Sequence, residues 1–377
     1  MLEHTAKSVA AAPPKGESVS PNNPLGIRGI DHIEFFVEDA EKWADYYVQG
    51  YGMYRRGYGD TKTGLKGRKA VVVGQGRVNF VFAQAEGNSS EADLIRSFVA
   101  THGGGVKDVA FRVADTATAL KNAQARGAKI VRPLDEHDIF VGGSIAAYGD
   151  TIHTLIQRKK HGVFAPGYTN VAGGIEDGEI QFAMIDHVVA NVENMGEWVD
   201  YYHRVFGFDE TAHFDINTGR SALMSKVVGA EDGYIKLPIN EPSSKNSQIQ
   251  EFLDEFKGPG VQHIALLTPN IISTVREMYA QGVKFMDVPD SYYDAEFVAR
   301  VGKIEEDIEE LKQYKILVDR DRPDGYLLQL FTHPVFDRPT LFHEVIQRRG
   351  NSVGFGEGNF KALFEAIERE QVRRGTL

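Results

Sequence analysis

The chain predicts an α+β fold: four βαβββ-type modules that form two tandem open β-barrels, closed by a C-terminal lid helix. Three observations predict it. The chain repeats itself at a fixed spacing. Each copy reads as strand, helix and strands, twice over. At 377 residues it is long enough for two copies, each with a core of its own.

Residues 1–26 read as a flexible arm, because Ala10 to Pro14 followed by Gly, Ser, Pro and Asn cannot bury a core. The repeat begins beyond it. Ile30-Asp31-His32 through Gly52 returns as Ile185-Asp186-His187 through Gly207, 155 residues later and without a gap. Ten of these 23 aligned positions are identical, too many for chance. Gly105 to Ala110 returns as Gly260 to Ala265 at the same spacing. Ile156 to Lys159 returns as Ile346 to Arg349 at a spacing of 190, so the second copy carries about 35 extra residues, around Tyr292 to Gly325.

Within each copy the elements follow from periodicity. Ile185 to Val192 is short, β-branched and apolar, as a strand is. Met195, Trp198, Val199 and Tyr202 share one helical stripe. Ala70 to Val73 and Val78 to Phe82 flank a Gly-Gln-Gly turn and read as a hairpin. Ile272 to Gln281 is a helix stopped by Gly282. The expected organisation is an N-terminal structural barrel without metal (27–161), a linker (162–181) and a C-terminal catalytic barrel (182–377). In the tail, alternating Gly354, Gly356 and Gly358 precede an amphipathic helix over 358–372, with Asn359 as its cap. Glycines before an apolar helix suit a gate over a pocket.

Composition excludes several functions. A net charge of −11 argues against a nucleic-acid partner, whose affinity rests on neutralising phosphates. No apolar run is long enough to span a bilayer. With no cysteine there is no disulfide, thiolate metal site or cysteine nucleophile. The same absence, and a start without a basic-then-apolar stretch, point to the cytoplasm.

The two copies differ where chemistry would sit. His187 pairs with His32, His263 with Asp108 and Glu344 with Thr154. The second copy thus holds His, His and Glu, the facial set that leaves open positions on non-haem Fe(II); the same set also holds manganese and other divalent ions. One histidine beside apolar residues is ordinarily structural, and His32 reads that way. Three donors at three equivalent positions read as a metal site. Strand alternation puts Glu344 on one face with Phe342 and Ile346, and His343 on the other. By the same parity Gln262 faces away from His263 unless a bulge turns it in.

Long motifs carry a resemblance. They include Ser221 to Lys226, Pro238 to Pro242, Pro289 to Tyr293, Asp324 to Phe331, Asp337 to Phe342 and Gly354 to Leu363. With these the chain resembles the 4-hydroxyphenylpyruvate dioxygenase family of the vicinal oxygen chelate superfamily, over residues 27 to 377. The resemblance implies an Fe(II) enzyme of tyrosine catabolism that converts 4-hydroxyphenylpyruvate and O₂ to homogentisate and CO₂. It implies one iron per chain on His187, His263 and Glu344, with no flavin, nicotinamide or separate 2-oxoglutarate. It implies a substrate pocket of Ser221, Asn240, Gln262, Gln329, Phe331, Phe342, Phe355, Asn359 and Phe360, of which Gln329, Phe331 and Phe360 serve the reaction directly. Phe331 and Phe360 suit a sandwich about an aromatic ring; for Phe342 and Phe355 a plain core role fits as well. A homodimer or homotetramer is implied. His343 departs from the family pattern, where an apolar residue is usual, and is expected to matter little; Phe336 also departs and is expected at the surface. The alternatives are 4-hydroxymandelate synthase, which acts on the same substrate, an extradiol catechol dioxygenase, and a metal-free small-molecule binding protein of the same fold.

Overall fold

The structure, a computed structural model, describes residues 19–160, 162–171, 178, 180–231, 233–293 and 296–376. The first half runs β1 (Ile27–Phe36), α1 (Ala40–Tyr51), β2 (Tyr54–Gly59), β3 (Arg68–Gln75) and β4 (Val78–Ala85). It continues with α2 (Ser90–His102), β5 (Gly105–Val113), α3 (Thr116–Ala125), β6 (Ile130–Glu136), β7 (Phe140–Ala146) and β8 (Ile152–Arg158). A short β9 (Thr169–Asn170) follows. The second half repeats the order: β10 (Met184–Asn191), α4 (Met195–Phe206), β11 (Asp209–Asn217), β12 (Ala222–Gly229), β13 (Lys236–Pro242), α5 (Gln248–Phe256), β14 (Gly260–Leu267) and α6 (Ile271–Ala280). The extra segment then forms α7 (Phe297–Val301) and α8 (Ile308–Gln313), before β15 (Leu317–Arg322), β16 (Gly325–Phe331), β17 (Phe342–Gly350) and α9 (Glu357–Arg374).

Two curled, open sheets result, with strand orders β6-β7-β8-β5-β1-β4-β3-β2-β9 and β11-β12-β13-β10-β14-β17-β16-β15. Each centres on an antiparallel pair, β1/β5 or β10/β14, flanked by parallel partners. The parallel pairs arise because a helix returns the chain to the same end of the sheet. Repeated residues set repeated ends: Asp39 and Asn194 cap α1 and α4 through their side-chain oxygens, and Gly52 and Gly207 end them in the left-handed region.

Packing corrects three expectations. The arm ends earlier than residue 26: Leu25 is fully buried and the Asn23 side chain bonds Ile27. Met1 to Ser18 lie outside the described residues. Part of the linker is bound into the first sheet, since β9 pairs with β2 and Tyr168 is buried. Phe336 is not at the surface either. It is buried with its ring 4.7 Å from Trp43, an apolar bridge between the halves.

Each half is also braced by one buried carboxylate. Asp31 takes the Arg158 guanidinium at 2.5 and 2.8 Å and faces His32 Nδ1 at 3.0 Å. Asp186 takes Arg348 at 2.8 Å through both oxygens and faces His187 Nδ1 at 2.8 Å. Burial opposes the charge on Asp31, but His32 and Arg158 hold its carboxyl far below the usual range. A carboxyl so depressed contributes stability that is fully present above its unfolded value of about 3.9 and is lost as pH falls below it. Asp31→Asn should therefore lower unfolding stability by about 3 to 5 kcal/mol at neutral pH. In denaturant titrations the gap from wild type should narrow steadily below about pH 4; a gap that stays constant into acid contradicts the assignment.

Candidate metal centre

Inside the second sheet, β10, β14 and β17 lie side by side and bring His187, His263 and Glu344 together. One donor atom from each lies within 4.8 Å of the others, and all three residues are buried. Glu344 Oε2 is 3.1 Å from His187 Nε2 and 3.5 Å from His263 Nε2. The register makes this so, since Ala265 is opposite both His187 and Glu344, and His263 is two residues away on the same strand.

Both imidazoles are oriented by the residue before them. Strand alternation would turn Asp186 and Gln262 to the opposite face. The pairing of β10 with β14 instead slips between Ile185 and His187, and again between Val189 and Ala190, where Gln262 is left without a partner. These bulges bring Asp186 and Gln262 back to the side of the histidines. Asp186 accepts from His187 Nδ1, and the Gln262 carbonyl faces His263 Nδ1 at 3.1 Å. With both Nδ1 protons held, both Nε2 lone pairs are presented to the same point as the carboxylate. That donor set, two neutral nitrogens and one carboxylate oxygen, fits a divalent transition metal.

Electrostatics agree. Burial opposes ionisation of Glu344, but the two imidazoles outweigh it and hold the carboxyl near 2. Burial also opposes charge on His187, yet Glu344 and Asp186 raise it above its ordinary value, while burial keeps His263 below its own.

The three side chains line one wall of a cavity. Asn240, Gln262, Gln329, Phe331, Phe342, Phe355 and Phe360 line it as well. The Phe342 ring stacks on His263 at 4.9 Å and Phe355 meets His187 edge-on at 5.4 Å. Gln329 donates to Glu344 Oε1 at 3.2 Å. Gly356, at φ +78°, lets the chain cross above Gln329: a Cβ there would sit 1.7 Å from its side-chain oxygen.

Ser221 and Asn359 are placed differently from expectation, and neither is among the lining residues. Ser221 has the right strand face but lies at the cavity mouth, where its hydroxyl donates to Glu368 of α9 at 2.7 Å. Ser225, two strand repeats further along and opposite Asn240, lines the cavity instead. Asn359 does not cap α9, whose N-cap is Gly356. It is buried, accepts from the Tyr292 hydroxyl at 2.6 Å and donates to Gln329 at 2.9 Å. The apolar wall of Phe214, Ile216, Leu223 and Val227 was missed, although alternation along β11 and β12 could have found it.

The equivalent positions of the first half are tied to one another. Thr154 bonds the Asp108 carboxylate through both its hydroxyl and its amide, and Ser144 holds the hydroxyl at 2.7 Å. Nearby, Glu34 is paired with Arg68 at 2.9 Å.

Comparisons follow the same division. Residues 21–165 match the model of the hydroxyphenylpyruvate dioxygenase N-terminal domain, and residues 184–330 that of the glyoxalase/bleomycin resistance protein/dioxygenase superfamily. A 4-hydroxyphenylpyruvate dioxygenase of Yarrowia lipolytica is 41% identical, over 93% of this chain and 94% of its own. One from Danio rerio is 40% identical over 92% of this chain and 91% of its own. A substituted 4-hydroxymandelate synthase from Streptomyces coelicolor superposes with a TM-score of 0.80, at 29% identity, covering 91% of this chain and 98% of that one.

Glu344 and Asp186 favour a second proton on His187, on Nε2 beside Glu344, in the metal-free chain, so a divalent ion must compete with that proton for the lone pair. Metal uptake at about pH 6 should release about one proton per chain and weaken as pH falls. Calorimetry in buffers of differing ionisation enthalpy measures this; uptake with no proton release contradicts it.

Proposed function

The chain belongs to the 4-hydroxyphenylpyruvate dioxygenase family, and from that premise we propose that His187, His263 and Glu344 hold the Fe(II) with which it converts 4-hydroxyphenylpyruvate and O₂ to homogentisate and CO₂. The observation that carries this reading is the convergence of the three donors at the wall of a cavity otherwise lined by aromatic rings. Iron bound there supplies positions for a chelating 2-oxo acid and for O₂, and electrons for its activation.

The chain's own residues bind and orient. Phe331 on β16 and Phe360 on α9 bracket the phenol ring, and Phe342 and Phe355 brace the two imidazoles. Asn240, Ser225, Gln262 and Gln329 offer amides and a hydroxyl to the phenol and the keto acid. The remaining wall is apolar and excludes water, which keeps a reactive ring-oxidation step from being diverted. Helix α9 acts as the lid. Glu368 holds it to Ser221 and Thr218 at the mouth, and Asn359 ties its first turn to Gln329. The first half is a structural partner without metal. Among the described residues no helix is long and apolar enough to cross a membrane. The cytoplasm, and a homodimer or homotetramer, complete the reading.

The alternative product is 4-hydroxymandelate, made when the benzylic carbon is oxidised instead of the ring. Phe360 favours the ring: its bulk lies in the cavity and packs against Phe214 at 4.9 Å. Anaerobic loading with Fe(II), then oxygen electrode and product chromatography with 4-hydroxyphenylpyruvate, should give homogentisate; 4-hydroxymandelate as the main product would overturn the reading. Phe360→Ile should cut homogentisate formation about tenfold or more, because a loosened ring is no longer held for attack. The same chromatography should show part of the turnover diverted to 4-hydroxymandelate; an unchanged rate and product would remove Phe360 from the site.

A further inference from the structure

The halves are joined by one hydrogen-bond arrangement made twice. His343 on β17 is fully buried and points away from the metal cavity into the first half, among Tyr47, Tyr51 and Phe80. The Tyr47 hydroxyl meets its Nε2 at 2.5 Å. His153 on β8, fully buried in the first half, meets the Tyr202 hydroxyl of the second half through Nε2 at 2.7 Å. The two tyrosines are 155 residues apart and the two histidines 190, the two spacings of the repeat. In each case Nδ1 faces a main-chain carbonyl on the adjacent strand, Ile264 at 3.3 Å for His343 and Val109 at 2.9 Å for His153. A carbonyl only accepts, so Nδ1 carries the proton and Nε2 accepts from the tyrosine. Burial keeps both rings neutral.

What each arrangement holds differs. His343 immediately precedes Glu344, and Ile264 immediately follows His263; the two residues are paired in the parallel register of β14 and β17. One imidazole therefore ties together the two strands beside two of the three donors, and the first half fixes that imidazole from behind. The equivalent ring in the first half ties β8 to β5 beside Thr154 and Asp108, which bond each other.

We propose that Tyr47 is a positioning residue for the metal centre, acting through His343 on the backbone that carries Glu344 and His263. The inference rests on the reading of those residues as metal ligands. It gives the non-metal half a role in the chemistry and makes His343 consequential, against the expectation from its outward parity. Deleting the hydroxyl leaves His343 Nε2 unpaired in an apolar pocket, where the ring is free to tilt and the strand with it.

The test compares Y47F with Y202F, which removes the matching hydroxyl where no donor lies next to the histidine. Both should lower thermal stability. Co(II), titrated anaerobically and read by its visible ligand-field bands, should bind Y47F about tenfold more weakly than wild type, with altered band intensities, and Y202F like wild type. A double variant, Y47F with H343F, removes both partners together and should regain stability without regaining affinity. Equal Co(II) binding by wild type, Y47F and the double variant overturns the proposal. Weakening in Y202F equal to that in Y47F reduces the pair to general cohesion and overturns it too. Failure of wild type itself to bind Co(II) would instead overturn the metal reading.

Discussion

An imidazole can offer Nε2 to a metal only if its other nitrogen keeps the proton, and the rest of this molecule is arranged around that constraint. Asp186 and Gln262 meet it for His187 and His263. They are able to because each sits at a bulge that cancels strand alternation. Asp186 is in turn saturated by Arg348, which reaches it from β17, the strand that carries Glu344. One buried ion pair thus connects the strand bearing the carboxylate donor to the strand bearing the first imidazole. Only Gln329, of the cavity's amides, touches the carboxylate itself, and it passes the contact on to the lid helix through Asn359.

The first half shows which parts of this arrangement belong to the fold and which to the chemistry. It keeps the bulges, the buried aspartate, the histidine beside it and the arginine that pairs with the aspartate. It keeps an aromatic ring edge-on to the histidine, Phe164 on His32 at 5.2 Å, as Phe355 lies on His187. Where the second half has Gln262 it has Lys107, and where the second half has a donor pair it has an aspartate bonded to a threonine. The frame therefore serves stability in both halves, and divergence at a few inward positions turned one of them into a candidate site.

Much of this was legible in the chain. The duplication supplied the element order of one half from the other, and comparing copies singled out the three donors without any structure. Parity placed His343 outward and Glu344 with Phe342 inward. It misjudged what outward means here, because the outer face of β17 is the interface with the other half. Gln262 was left open because a bulge has no signature in a period-two pattern. Ser221 and Asn359 could not be placed by strand or cap rules: their partners, Glu368 and Gln329, are 147 and 30 residues away and meet them only when α9 folds over the mouth. Phe336 and the segment before Ile27 are covered by residues that are distant in sequence, which no local pattern records.

The claim on which the account turns is that one iron is held by two imidazoles and one carboxylate of the second half. X-ray absorption at the iron edge of the Fe(II)-loaded chain tests it most directly. The account predicts one iron per chain whose outer-shell scattering requires two imidazole rings and falls to one in His263→Ala. Scattering that needs no imidazole, or that is unchanged by His263→Ala, would contradict it.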